Sequence, residues 1–460
     1  MSLKTDLIQP DRGQDAIAIH LVNKDGFEDF AKKLSGPQRA ALAGQKFTGG
    51  GYQVGIVPDG EGWFAVGGVA NPDDLSSWCL AKLAESLPAG TYRLASGEPG
   101  IAMFGWQSAQ YVFDRYVKDD KAEAERILLT GEVGHIPAMQ AEAQACALVA
   151  DMVNTPAEDM GPEAIEAEAK KLADAHGAKL NVVRGDALVT GFPMVHAVGR
   201  AASREHAPRL IELNWGDDSH PRIAIVGKGV AFDSGGLDIK PASGMLLMKK
   251  DMGGAAHALA LAGMVMEAGL KVRLQCLVPA VENAISGNAF RPGDVLASRM
   301  GLTVEIGNTD AEGRLILGDA LAYASEQEPE FIIDFATLTG AARVAVGPDL
   351  PALFTRRDET ADELIAAGRA HDDAPWRLPI HAAYGEWLKS DIADTNNTHT
   401  GGFAGASVAA SFLDKFVGEG IDWVHFDTFA WRPAAKPGRA KGGAALGLRA
   451  SFHMLKKRFG

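Results

Sequence analysis

Asn308-Thr309-Asp310-Ala311-Glu312-Gly313-Arg314-Leu315 joins two runs of different period. Before it, Leu302-Thr303-Val304-Glu305-Ile306 alternates and is β-branched, as a strand does. After it, Leu315-Ile316-Leu317-Gly318-Asp319-Ala320-Leu321-Ala322 has the spacing of a buried helix. The octapeptide is therefore a strand-to-helix junction, where open α/β sheets build their sites. Asp310, Glu312 and Arg314 stand at alternate positions, which extended backbone would point the same way. A purely structural role is equally open, with Asp310 or Thr309 as helix N-cap and Glu312 in the first turn.

Outward from that junction the pattern repeats. Strands are expected at 210–214, 223–226, 274–278, 303–306, 331–335 and 423–426, with helices at 252–268, 315–326 and 407–417 between them. Near-continuous apolar strands alternating with helices predict a mostly parallel central sheet covered by helices on both faces. Upstream, Met139 to Asn154 and Pro162 to His176 read as helices, the first broken by Thr155-Pro156, with a strand near 180–183. The first third holds shorter elements: strands at 16–22, 52–57, 63–69 and 91–95, and helices at 75–87 and 101–116. It has no acidic or His-rich cluster. The charged run 117–123 and the stretch 131–137 mark a boundary, which gives a small N-terminal α/β domain at 1–130 and a larger α/β domain at 131–460. A chain of 460 residues is too long for one ordinary core.

Composition narrows the class. The chain is 47% hydrophobic and 23% charged, as in globular proteins. Its net charge of −14 argues against nucleic acid or an anionic membrane as partner. Cys79, Cys146 and Cys276 are scattered with no CxxC pair, which fits reduced thiols in a cytoplasmic protein. No apolar stretch is long enough to span a bilayer.

A second polar cluster follows the strand Ile223 to Val226: Gly227-Lys228-Gly229-Val230-Ala231-Phe232-Asp233-Ser234-Gly235-Gly236-Leu237-Asp238-Ile239-Lys240. Met248-Lys249-Lys250-Asp251-Met252-Gly253-Gly254 then opens a helix. Phe232 stands where a dinucleotide loop needs its third glycine, and neither a phosphate-loop GxxxxGK[ST] nor HExxH is present. Asp233-Ser234-Gly235-Gly236 looks like a serine-protease segment, but a parallel α/β chain is the wrong setting for it. What remains is a set of hard oxygen ligands: Asp233, Asp251, Asp310 and Glu312. Four converging carboxylates repel without cations, so they imply bound metal, and two bridged ions would form a hydrolytic clamp. Lys228, Lys240 and Arg314 could neutralise part of the cluster, and a salt-bridge network with helix caps is the plainer reading. The surrounding glycines, which let backbone approach a ligand closely, weigh against that reading.

These residues resemble the leucyl aminopeptidase, or cytosol aminopeptidase, family of dinuclear metallopeptidases. NTDAEGRL (308–315) matches the family's signature octapeptide, and VGKGVAFDSGG (226–236), Lys240 and MKKDMGGAA (248–256) match at the family's intervals. Weaker similarity covers 151–162, 332–341 and 423–431, and in the first third only 105–116. The resemblance implies one metal held by Asp233, Asp310 and Glu312, with Asp310 also giving its carbonyl, and a second held by Lys228, Asp233, Asp251 and Glu312. The donor set, oxygens and one amine, suits Zn²⁺ or Mn²⁺ better than Mg²⁺. A metal-bridging water would attack the first peptide carbonyl, Lys240 would stabilise the tetrahedral intermediate, and bicarbonate on Arg314 would relay protons. Met248, Thr337 and Gly340 match positions lining the first side-chain pocket, and Leu338 one whose carbonyl binds substrate. The family assembles as a hexamer acting on peptides. One departure stands out: His425-Phe426-Asp427-Thr428-Phe429-Ala430-Trp431 is about two residues shorter than the family's closing segment, with Phe429 near an expected small pair. If Phe429 narrows the pocket rather than serving as core, Leu or Met is favoured as first residue over Trp and charged residues. Two other classes are open to the same residues: a dinuclear phosphoesterase using the same carboxylates, and a non-catalytic DNA binder, which the acidic charge opposes.

Overall fold

A computed structural model describes residues 3–117 and 125–460. The charged run 117–123 lies, apart from Val117, outside the described residues. The chain forms two compact units, Met1–Ala147 with Ala434–Lys441, and Leu148–Pro433 with Gly442–Gly460. The division thus falls within helix α1 (Ile136–Asn154), whereas the sequence reading set it at 130/131.

The smaller unit is built on a six-stranded sheet of β1 (Ile8–Pro10), β2 (Ile17–Val22), β3 (Val54–Asp59), β4 (Gly62–Gly68), β5 (Gly90–Leu94) and β6 (Arg126–Thr130). Its order is β1-β6-β5-β2-β4-β3, with β3 antiparallel to β4 and the other pairs parallel. Two helices are shorter than expected. The first covers only Ala81–Ser86, because Ser76 N–H and hydroxyl bond the Cys79 sulfur in a local turn that competes with helix. The second stops at Ser108. There the Gln110 amide exchanges hydrogen bonds with the Arg126 backbone (2.9 and 3.0 Å), and the β-branched and aromatic residues after it are poor helix formers.

The larger unit carries a nine-stranded sheet: β7 (Lys179–Val183), β8 (Arg209–Trp215), β9 (Arg222–Gly227), β10 (Gly229–Asp233), β11 (Arg273–Asn283), then β14 (Phe331–Ala336), β15 (Ala352–Thr355), β16 (Trp376–Arg377) and β18 (Asp422–Asp427). Between these in the chain, β12 (Val295–Ala297), β13 (Thr303–Glu305) and β17 (Thr395–Asn396) make a separate three-stranded sheet. The large sheet runs β16-β15-β18-β14-β9-β11-β8-β7, with β10 beside β11. The parallel pairing expected from apolar runs holds at the centre, in β18-β14-β9-β11. Antiparallel pairs flank this centre, β15 to β18, β8 to β11 and β7 to β8, while the outermost β16 runs parallel to β15. β7 is only partly buried, as an edge strand is, which is why it lacks the apolar run that marks a central strand.

Alternation along β9 explains the layers. Ala224 and Val226 join a core with Leu315, Ile316 and Leu317 of helix α2 (Glu312–Ser325). On the other face, Cys276 (paired with Ile225) meets Ala258 O of helix α3 (Gly253–Glu267) at 3.7 Å. Thirteen of the fifteen residues of α3 and twelve of the fourteen of α2 are buried, so both are interior helices. Their first turns lie at the C-terminal ends of the parallel strands. Gly254 makes this close approach possible: a Cβ there would stand 2.1 Å from Phe335 O and 2.8 Å from Lys228 N.

Candidate metal centre

The polar groups of interest sit at the ends of the central strands, β9 and β10 running in the same direction beside β11 with Lys228 between them. Lys228 follows β9, Asp233 ends β10, Thr337 follows β14 and Asp427 ends β18. The octapeptide 308–315 supplies the rest, though not by alternation. Ala311 is the N-cap of α2 (φ −108°, ψ 42°) and no side chain caps it, so Glu312 and Arg314 are already helical. The capping role open to Asp310 and Thr309 is therefore excluded. Thr309 instead bonds across the turn, its hydroxyl donating to Gly235 O (2.6 Å) and its N–H to Asp238 Oδ2 (2.7 Å).

One ligand oxygen from each of Asp233, Asp310 and Glu312 lies within 4.8 Å of the others. Lys240 Nζ bridges Asp233 Oδ2 (2.7 Å) and Asp310 Oδ1. Lys228 Nζ lies 2.7 Å from Asp251 Oδ2 and 2.9 Å from Glu312 Oε1, and donates weakly to Thr337 O (3.3 Å). Its place is shaped by Gly313, where a Cβ would stand 2.7 Å from that amine nitrogen. Thr337 Oγ1 donates to Asp251 Oδ1 (2.7 Å). Lys228, Asp233, Asp251 and Glu312 are each at most 3% exposed.

Burial and mutual repulsion set the protonation. Burial, then the Asp233 charge, pushes Glu312 up to about 8 despite Lys228, and the same two causes push Asp310 up to about 6 despite Lys240. Burial works to lower Lys228, but Asp251, Glu312 and Asp233 together hold it well above the usual lysine range. The ammonium stays charged while Glu312, one of three carboxylates competing for it, keeps its proton. Glu312 Oε2 is buried without a hydrogen-bond partner, which costs about 1–3 kcal/mol in a neutral setting. An excess of hard oxygen donors around a buried, unpartnered carboxylate oxygen fits a divalent cation.

Two asparagines that the sequence reading missed hold this arrangement. Asn283 Nδ2 donates to Asp233 Oδ1 (2.9 Å) and Thr309 O (3.1 Å). Asn397 accepts from Gly307 N–H (2.8 Å) and donates to Asn308 O (2.7 Å), and its carbonyl accepts from Arg314 Nη1 (2.7 Å). Neither lies in a periodic or acidic motif, so spacing carried no signal for them. Of the expected pocket residues, Met248 opens the short 3₁₀ turn Met248–Met252 that carries Asp251, and Thr337 bonds Asp251 directly. Leu338 N–H and Thr339 N–H both donate to Asp427 Oδ1 (3.1 and 3.2 Å), so Asp427 pins that loop. Gly340 is exposed and Phe429 half-buried.

Residues 147–451 match the profile described as cytosol aminopeptidase family, catalytic domain, and residues 17–129 match the M17 aminopeptidase N-terminal domain. The chain belongs to the cytosol aminopeptidase family. It is a metal-dependent aminopeptidase, and its smaller unit, unreadable from sequence, belongs to the same family. A probable cytosol aminopeptidase of Syntrophotalea carbinolica is 38% identical over 374 residues, 78% of this chain and 74% of the relative. Peptidase B of Cronobacter sakazakii is 43% identical over 318 residues, 67% and 74% of the two chains. Among solved structures, the cytosol aminopeptidase from Coxiella burnetii superposes with a TM-score of 0.93 at 41% identity, covering 99% of this chain and all of that one. The bottromycin maturation enzyme BotP in complex with Mn superposes with a TM-score of 0.87 at 30% identity, covering 96% and 99%. Among the described residues no helix of this aminopeptidase is long and apolar enough to cross a membrane.

Proposed function

We propose that this aminopeptidase removes the N-terminal residue of peptides at a two-metal site in residues 131–460, and that it accepts an apolar first residue such as Leu or Met. The observation that carries the reading is the convergence of Asp233, Asp310 and Glu312 around a buried carboxylate oxygen without a partner. Asp233, Asp310 (with its carbonyl) and Glu312 would hold one ion, and Lys228, Asp233, Asp251 and Glu312 the other. Zn²⁺ or Mn²⁺ suits this set better than Mg²⁺. Divalent ions bound there supply Lewis acidity and an acidified water.

The chain's own groups do the rest. Lys228 can ligate only as a free amine, so loading must strip its proton and free Asp251 and Glu312 from their ion pairs. Lys240 is kept charged by Asp233 and Asp310, which outweigh its burial, and this suits it to stabilise a developing oxyanion. Arg314 is buried and held by Asn397 O through Nη1, while its Nε has no partner, leaving a donor directed for a small anion such as bicarbonate. Arg314 would hold and orient such an anion, which when bound would supply a proton relay. Met248, Thr337, Leu338, Gly340 and Phe429 would line the first side-chain pocket.

The test pairs metal content with hydrolysis of amino-acid anilides and of a phosphoester. Anilide turnover that chelation abolishes and Mn²⁺ or Zn²⁺ restores is expected; phosphoester turnover alone would reassign the site. We further propose a cytoplasmic homohexamer of the 48.5 kDa chain, which light scattering would refute by a monomer mass at all concentrations.

A further inference from the structure

We propose that Asp427 is a positioning residue of the reaction, which turns the carbonyls of Thr337 and Leu338 toward the metal centre as acceptors for the substrate's main-chain N–H groups. The inference rests on the two-metal reading above and gives a role to a buried acid that holds no metal in it.

β14 ends at Ala336, which pairs with Asp427 at the end of β18, and Thr428 N–H donates to Ala336 O at 2.8 Å. The chain then leaves the sheet as Thr337-Leu338-Thr339 and enters the short helix Gly340–Val346, with Thr339 as its N-cap. Asp427 Oδ1 accepts from both Leu338 N–H (3.1 Å) and Thr339 N–H (3.2 Å), and Oδ2 accepts from the Thr339 hydroxyl (2.6 Å). Thr337, at the start of the link, donates through Oγ1 to Asp251 Oδ1 instead (2.7 Å). The link is therefore fixed at one end to a candidate metal ligand and at the other to Asp427.

A trans peptide points its N–H and its C=O in opposite directions. Two successive N–H groups on one carboxylate oxygen thus send two successive carbonyls, those of Thr337 and Leu338, away from Asp427. The first lands where this requires, since Thr337 O lies 3.3 Å from Lys228 Nζ, which itself meets Asp251 and Glu312. Leu338 O is sent the same way, and among the described residues no hydrogen-bond donor reaches it. It is an acceptor held ready beside the cluster. Asp427 is 4% exposed, and burial pushes its carboxyl up while the His425 charge works against that. His425 faces Asp334 across the β18–β14 pair and is claimed by it at 2.6 Å, so it leaves the Asp427 oxygens to the loop. Three donors on one buried side chain hold the two peptide planes with little freedom to rotate, which is what orienting a substrate needs.

The experiment measures kcat/KM of the Mn²⁺-loaded full chain on Leu-, Met- and Ala-anilides, together with bound metal. Asp427→Ala should keep its metals and lose about 30-fold or more, by the same factor on all three substrates, because a main-chain contact ignores the first side chain. Asp427→Asn keeps an oxygen for the two N–H groups and an amide that can donate to the Thr339 hydroxyl, so it should recover to within about fivefold of the parent. If Asp427→Ala does not fold, Thr339→Val removes only the hydroxyl bond and should cost about threefold, again equally on the three anilides. An Asp427→Asn rate as low as that of Asp427→Ala overturns the proposal, since charge rather than carbonyl direction would then matter. So does a change in the order of first residues, which would put Asp427 in the side-chain pocket, or metal loss from Asp427→Ala, or parental rates in Asp427→Ala or Thr339→Val. Parent turnover that chelation leaves untouched would instead overturn the two-metal reading.

Discussion

Glu312 and Asp319 lie two turns apart on helix α2, and both are buried carboxyls whose acidity is suppressed. Burial pushes Asp319 up to about 7 and Glu312 up to about 8. Their partners differ. Asp319 accepts Met194 N–H (2.8 Å) and Val195 N–H (3.3 Å) on one oxygen and Arg299 N–H (2.8 Å) on the other. Glu312 shares one oxygen with Lys228 and has no hydrogen-bond partner on the other, with three further carboxylates around it. Asp319 is satisfied by the chain itself. Glu312 is only half satisfied by the chain, through Lys228 on one oxygen. Burial and suppressed acidity therefore do not mark a site; what sets Glu312 apart is an oxygen without a partner inside a cluster of converging carboxylates.

The comparison can be broken most directly at Glu312. Glu312→Gln keeps shape but removes charge, so metal content should fall and kcat/KM drop by at least about 10³-fold, several kcal/mol of lost stabilisation. Elemental analysis showing two metals retained would remove the distinction. Next come the groups that touch the site without ligating metal. Lys240→Ala and Arg314→Ala should keep their metals yet lose about 10²–10³-fold in kcat. Loss of metal from either would mean the residue is structural to the cluster.

Asp319→Ala gives the converse result. It strands three buried N–H groups and should cost about 2–4 kcal/mol in urea unfolding, while metal content and specific activity of the folded protein hold. A smaller effect separates the two carboxyls by pH. Each has a folded pKa above its unfolded one, so its contribution to stability is full below about 4 and is lost as pH rises toward the folded value. Replacing Asp319 by Asn should flatten the stability slope between about pH 4 and 7 with or without metal. The Glu312 share should vanish on metal loading, so the rise in Tm with Mn²⁺ should grow from pH 6 to 8. A metal-induced shift that ignores pH would show that Glu312 carries no proton to release.

Residue spacing alone determined much of this protein. The change from strand period to helix period around 308–315, the apolar runs of β9 and β14, and the oxygen-rich composition of four loops are local properties, readable because periodicity reflects burial. Resemblance then named candidate ligands, and the fold brings Asp233, Asp310 and Glu312 within 4.8 Å of one another, with Lys228 against Asp251 and Glu312. Tertiary structure decided what spacing does not encode. Asp310 and Thr309 would have capped α2 by local rules, yet Lys240 and Asp238, about 70 residues away, claim them instead. Asn283 at the end of β11 and Asn397 just after β17 reach the octapeptide from far along the chain, and the antiparallel pairs flanking the centre of the large sheet depend on which strands meet. The physical reason is one of range: propensity and period act over a few residues, while the choice of partner for a buried charge is made by whatever the fold brings within about 3 Å.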